Sequence, residues 1–123
     1  MSTIPYKHAR QIFDDNTIVK TDHSFKTSFY YGKFDLLKLL ELLDCLILIC
    51  PDFTKNDLRE LFFLQDSIFR LFYFEVIKLG KNGGDICLNQ EFVDLLSYVF
   101  YDVYCGRPRF GTSKEYINTM DYD

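Results

Sequence analysis

The sequence predicts a mainly α-helical protein: a small bundle of three long helices, with a short N-terminal helix and an extended N-terminal segment. Three observations predict it. From Phe34 onward, apolar residues recur at helical spacing in three separate stretches. Strong breakers divide those stretches: Pro51, then Gly80, Gly83 and Gly84, then Gly106 and Pro108. Cap-forming residues, Thr54 and Asn89, open the second and third.

The N-terminal helix is expected over Tyr6 to Phe13. Pro5 stands near its first position, where the missing N–H costs nothing. Asp14, Asp15 and Asn16 are expected to end it. Residues 17–31 mix Thr, Ser and Lys with Ile18, Val19, Phe25, Phe29 and Tyr30. Their alternation is imperfect, so an extended arm and a small hairpin are both open readings.

The first long helix is expected over Phe34 to Ile49, between Gly32 and Pro51. Leu36, Leu39, Leu40, Leu43, Leu46 and Ile47 share one face. Leu37, Leu42, Leu48 and Ile49 widen it, and a helix apolar almost all round belongs inside a bundle or at an interface. The second is expected over Lys55 to Leu79, at about 37 Å the longest, and is given the central place. Thr54 and Asp57 form a capping-box pattern with Asp in the Glu position. Leu58, Leu61, Phe62, Ile68, Phe69, Phe72, Val76 and Leu79 make its main face, and Gly80 suits a left-handed C-cap. The third runs over Gln90 to Tyr104. Phe92, Val93, Leu95, Leu96, Val99, Phe100, Val103 and Tyr104 line one side; Gln90, Glu91, Asp94, Ser97 and Asp102 line the other. The chain thus reads as one domain: an N-terminal helix and arm (1–31), a helical core (34–105) and a polar C-terminal tail (106–123).

Composition narrows the function. The chain has 123 residues, 48% of them hydrophobic and 26% charged, which fits a folded domain with a real core. Its net charge of -4 and isoelectric point near 5.1 argue against binding nucleic acid by phosphate neutralisation. The most apolar run, Leu36 to Cys50, is interrupted by Lys38, Glu41 and Asp44, so no membrane span is expected. The first ten residues lack the apolar core of a secretory signal. The four cysteines are therefore read as reduced, and the protein as cytoplasmic or nuclear and not secreted.

The search for chemistry finds no constellation. The two histidines, His8 and His23, lie in the N-terminal third, and no local pattern pairs them with Cys87 or Cys105. Cys45 and Cys50 are five residues apart on an apolar helix, with no second pair to complete a zinc site and with too wide a separation for a disulfide. Gly80-Lys81-Asn82-Gly83-Gly84 carries a lysine but follows a helix and lacks phosphate-loop spacing. Arg107, Arg109 and Lys114 are interleaved with Asp102, Glu115, Asp121 and Asp123, the pattern of a solvated mixed-charge tail. No catalytic residue, metal ligand or cofactor is expected, and the protein is read as not an enzyme.

Residues 70–104, about a quarter of the chain, resemble the C-terminal part of plant geminivirus replication-enhancer proteins. The shared positions are Val76-Ile77-Lys78, Asn82, Gly84, Ile86, Asn89 and Tyr101-Asp102-Val103. That family's basic N-terminal pattern, with its His and Asn, is absent and the net charge has the opposite sign, so no residue role is carried over.

What remains is surface. Aromatics make up 18% of the chain, 13 Phe and 9 Tyr, a heavy load for one small interior. Phe63 and Phe74 are eleven residues apart, three helical turns, and so point the same way, with Arg59, Asp66, Ser67 and Arg70 beside them. Tyr98 and Tyr101 sit on the polar arc of the third helix. Interface centres favour Phe, Tyr and Arg, so Phe63, Phe74, Arg59, Arg70, Tyr98 and Tyr101 are the expected partner-binding residues; for Phe63 and Phe74, cover within the fold by a third layer such as the N-terminal segment is an equal reading. The expected function is a non-enzymatic protein–protein interaction module that forms a homodimer and binds a protein partner of unknown identity. Abundant Phe, Tyr, Ile, Asp and Lys imply an AT-rich coding sequence, common in viruses, which suggests a virus-encoded modulator or inhibitor of a host protein. The alternative is an accessory factor of viral replication that associates with a replication protein or nucleic acid.

Overall fold

A computed structural model describes residues 4–17, 25, 35–72 and 90–119. The described residues are mostly helical, with no strand among them.

The first helix, α1, spans Tyr6–Thr17 and buries Ala9, Phe13 and Asn16 at the i, i+4, i+7 spacing of one face. It runs four residues past Phe13, so Asp14, Asp15 and Asn16 do not end it. Side chains there bond back into the helix instead. Asn16 Nδ2 donates to the Ile12 carbonyl at 2.8 Å and Thr17 Oγ1 to the Phe13 carbonyl at 2.9 Å. Gln11 donates to Asp15 at 2.8 Å one turn on. The arm or hairpin expected over residues 17–31 lies mostly outside the described residues, although Phe25 is buried in the core.

The helix α2, Leu36–Ile49, is capped by Asp35, whose carboxylate accepts from the Lys38 N–H at 3.2 Å. Seven of its side chains, from Leu39 to Ile49, are buried on nearly every side. Helix α1 and the helices over Gln90–Cys105 and Ser113–Thr119 all pack against it. The expected central element was the Lys55–Leu79 helix; among the described elements the centre is α2. The reason is chemical: α2 is apolar over most of its surface, interrupted by Lys38, Glu41 and Asp44, whereas the later helix carries Arg59, Asp66 and Arg70 on one side and packs on α1. Pro51 does not stop α2 abruptly. The chain tightens into a 3-10 turn, Cys50–Asp52, in which proline occupies an early position.

The helix α3, Lys55–Phe72, begins with the expected capping box in full. The Asp57 N–H donates to Thr54 Oγ1 at 3.2 Å, and the Thr54 N–H donates to the Asp57 carboxylate at 2.9 Å. Leu61, Leu64 and Ile68 face inward. Phe62, expected on that inner face, points outward and is 58% exposed. It lies about 100° around the helix from Leu61, which takes it off the buried stripe. The expected last turns (73–79), Phe74 and the Gly80 cap lie outside the described residues.

The helix α4, Gln90–Cys105, buries Leu95, Leu96, Val99, Phe100 and Val103. It closes as a Schellman motif at Gly106, whose φ is 68°. The Gly106 N–H donates to the Val103 carbonyl at 3.0 Å and the Arg107 N–H to the Asp102 carbonyl at 3.2 Å. The expected polar tail is not a solvated strand of chain. Residues 113–119 form a further helix, α5 (Ser113–Thr119), whose Tyr116 is 1% exposed and packs edge-on against Phe110. Burial of one large ring docks this segment.

Candidate interaction surface

The outer side of α3 follows from its inner side. Leu61, Leu64 and Ile68 turn inward, so Arg59, Phe62, Phe63, Asp66 and Arg70 turn outward at three- and four-residue steps. Phe62 and Phe63 are both at least half exposed and meet edge to face, with ring centroids 5.9 Å apart. Arg70 Nε lies 2.9 Å from the Asp66 carboxylate one turn away. Arg59 makes no ion pair with any described residue.

Tyr98 and Tyr101 lie on the outer side of α4, both exposed. The Arg109 guanidinium sits over the Tyr98 ring, 5.4 Å from its centroid. Helix α3 is anchored on α1, whereas α4 is anchored on α2 and α5. The two aromatic groups therefore ride on differently anchored elements. Of the six expected binding residues, Arg59, Phe63 and Arg70 share one face, Tyr98 and Tyr101 share another, and Phe74 lies outside the described residues.

Two buried carboxylates each gather several donors. Asp57, the capping residue of α3, is also gripped by Arg10 of α1 through both guanidinium nitrogens, one at 3.1 Å. The Arg10 bonds hold its carboxyl below the usual carboxylate range, against the opposing effect of burial. Asp102 of α4 accepts from Tyr116 Oη at 2.6 Å, from Arg109 Nε at 2.8 Å and from the Arg109 N–H at 3.2 Å. Burial alone would push Asp102 up; the bonds from Arg109 and Tyr116 together leave it below its usual range. Burial, reinforced by the bond to Asp102, pushes Tyr116 up to about 12.

The Asp102 cluster departs from the sequence expectation, which puts Asp102 on the polar arc and Arg109 in a solvated tail. A signal existed: Leu95, Val99 and Asp102 follow the i, i+4, i+7 order of one buried face.

Other chemistry is sparse in the described residues. They hold no group of three or more His, Cys, Asp or Glu able to bind a metal. No helix among them is long and apolar enough to cross a membrane. Cys45, Cys50 and Cys105 are free thiols. Burial pushes Cys45 up to about 12 and Cys50 up to about 11, which keeps both protonated near neutral pH. A cavity of about 200 Å³ between α1 and α2 is lined by Ile12, Phe25, His8, Asp15, Lys38 and Glu41. Its mixed charges single out no ligand. His23 and Cys87 lie outside the described residues.

No family model, curated protein or solved structure matches this chain.

Proposed function

We propose that this chain is a non-enzymatic protein–protein interaction module that self-associates through the outer face of α3. One observation carries the reading: Phe62 and Phe63 stand side by side, 58% and 50% exposed, on a helix whose opposite side is buried. Fully burying a phenylalanine gains roughly 1.5–3 kcal/mol, so covering two half-exposed rings favours association. The Arg59, Asp66 and Arg70 rim adds specificity at the edge of such a contact. Tyr98 and Tyr101 are available on α4 for a different protein. The bundle built on the three longer helices is the scaffold for both faces. A virus-encoded modulator or inhibitor of a host protein, acting in the cytoplasm or nucleus where thiols stay reduced, is the biological role proposed for it.

Sedimentation of the wild type beside Phe63→Asp tests the reading. The expected result is a dimer at tens of micromolar that the substitution converts to a folded monomer. A monomeric wild type, or a folded variant that remains dimeric, would overturn it.

A further inference from the structure

We propose that α3 pairs with α3 of a second copy in an antiparallel, twofold arrangement centred between Phe62 and Phe63. The proposal rests on the self-association reading above and adds to it a register. The central part of the outward stripe runs Arg59, Phe62, Phe63, Asp66. A twofold axis through the midpoint of the two rings exchanges position 62 with 63 and position 59 with 66. The stripe is therefore complementary to its own reverse. Phe62 meets the partner's Phe63, Arg59 meets the partner's Asp66, and symmetry repeats each contact.

Charge selects this arrangement over the parallel one. Parallel twofold pairing sets Arg59 against Arg59 and Asp66 against Asp66, which repel on both sides of the aromatic centre. Antiparallel pairing replaces both repulsions with attractions. It also gives Arg59 an ion-pair partner, which it has nowhere among the described residues. Asp66 already pairs with Arg70 of its own helix at 2.9 Å, and a carboxylate has two oxygens to share between two cations. The outermost exchange sets Lys55 against the partner's Arg70. Those positions lie about 11 Å along the helix from the axis. Crossed helices diverge there, and the facing charges are separated and solvated.

Charge exchange tests the register. Arg59→Asp, Asp66→Arg and the double variant are compared with wild type by sedimentation equilibrium, with circular dichroism confirming helicity. Each single variant places like charges together twice and should weaken the dimer about tenfold or more. The double variant restores two opposite-charge pairs and should return the dissociation constant to within about threefold of wild type. If a reversal lowers helicity, Arg59→Gln and Asp66→Asn replace it, and both should weaken the dimer. A dimer insensitive to these changes, or a double variant no better than its parents, overturns the register while self-association stands. A monomeric wild type removes both.

Discussion

Asp57 and Asp102 are equally buried, at 4% exposure each, and each fastens one end of the chain to the rest. They do it with different partners. Asp57 caps α3 locally and takes a two-pronged grip from Arg10, 47 residues away on α1. Asp102 takes a phenol, a guanidinium and a backbone N–H, all from the segment that follows its own helix. The first clamp is a charge pair built on a cap. The second is a hydrogen-bond cluster built around a buried ring. The N-terminal clamp should depend on charge, and the C-terminal clamp on the Tyr116 ring.

Removing that ring is the largest expected effect. Tyr116→Ala opens a cavity and takes one of three donors from Asp102, and should cost about 3–5 kcal/mol in urea unfolding. Tyr116→Phe keeps the ring and removes only the hydroxyl, which should cost about 1–3 kcal/mol. If the two variants cost the same, the hydroxyl dominates and the contrast between the clamps is lost.

At the other end the next effect is expected. Asp57→Ala removes the α3 cap and the anion facing Arg10, and should cost about 2 kcal/mol. Arg10→Ala leaves Asp57 with its Thr54 partner and should cost less. An Arg10→Ala loss larger than that of Asp57→Ala would mean that the ion pair outweighs the cap.

The two clamps also differ in how far the sequence discloses them. Thr54 and Asp57 stand three residues apart, so local spacing alone names the capping box, and the structure shows it. The helix boundaries at Ile49 and Cys105 are legible for the same local reason, Pro51 lying two residues beyond the first and Gly106 directly after the second. Arg10 as the second partner of Asp57 is not legible, because nothing within α1 points to a residue 47 positions on. Asp102 is misread because its partners come from a segment whose composition is polar. Only the fold-back of α5 turns Arg109 and Tyr116 into ligands for its carboxylate. The outward turn of Phe62 is hidden differently. Phe62 lies next to Leu61, and a broad apolar run does not show which neighbour loses its place inside.

Titration separates the clamps from both ends of the pH scale. Asp57 and Asp102 sit below their unfolded value of about 3.9. The stability each adds is complete above that pH and is lost as pH falls toward the folded values. Acid unfolding should therefore be shallower in Asp57→Asn and in Asp102→Asn. Tyr116 has the opposite sign. Its folded value of about 12 exceeds an unfolded value of about 10, so its contribution is full below pH 10 and is lost as pH rises through 12. Tyr116→Phe should flatten the alkaline fall, while Asp57→Asn leaves it in place. An alkaline profile unchanged by Tyr116→Phe would break the assignment.

The smallest expected effect probes the turn that lets the C-terminal clamp form. Gly106 ends α4 at φ 68°, and the chain reverses there so that Arg109 and Tyr116 reach back to Asp102. A Cβ added to Gly106 would lie 3.7 Å from the Cys50 carbonyl oxygen and 4.0 Å from Pro51 Cα. Both are ordinary contact distances, so crowding contributes little. The left-handed backbone remains costly for any L-residue with a Cβ, and Gly106→Ala should lose about 1 kcal/mol. Gly106→Asn should lose less, since asparagine tolerates this conformation better than alanine. Thr54→Ala is the matching change at the N-terminal clamp and should also cost about 1 kcal/mol, through its lost cap. The two losses should add in the double variant, because the sites share no hydrogen-bond partner. Coupling well beyond about 0.5 kcal/mol would show that the clamps act as one unit through α2.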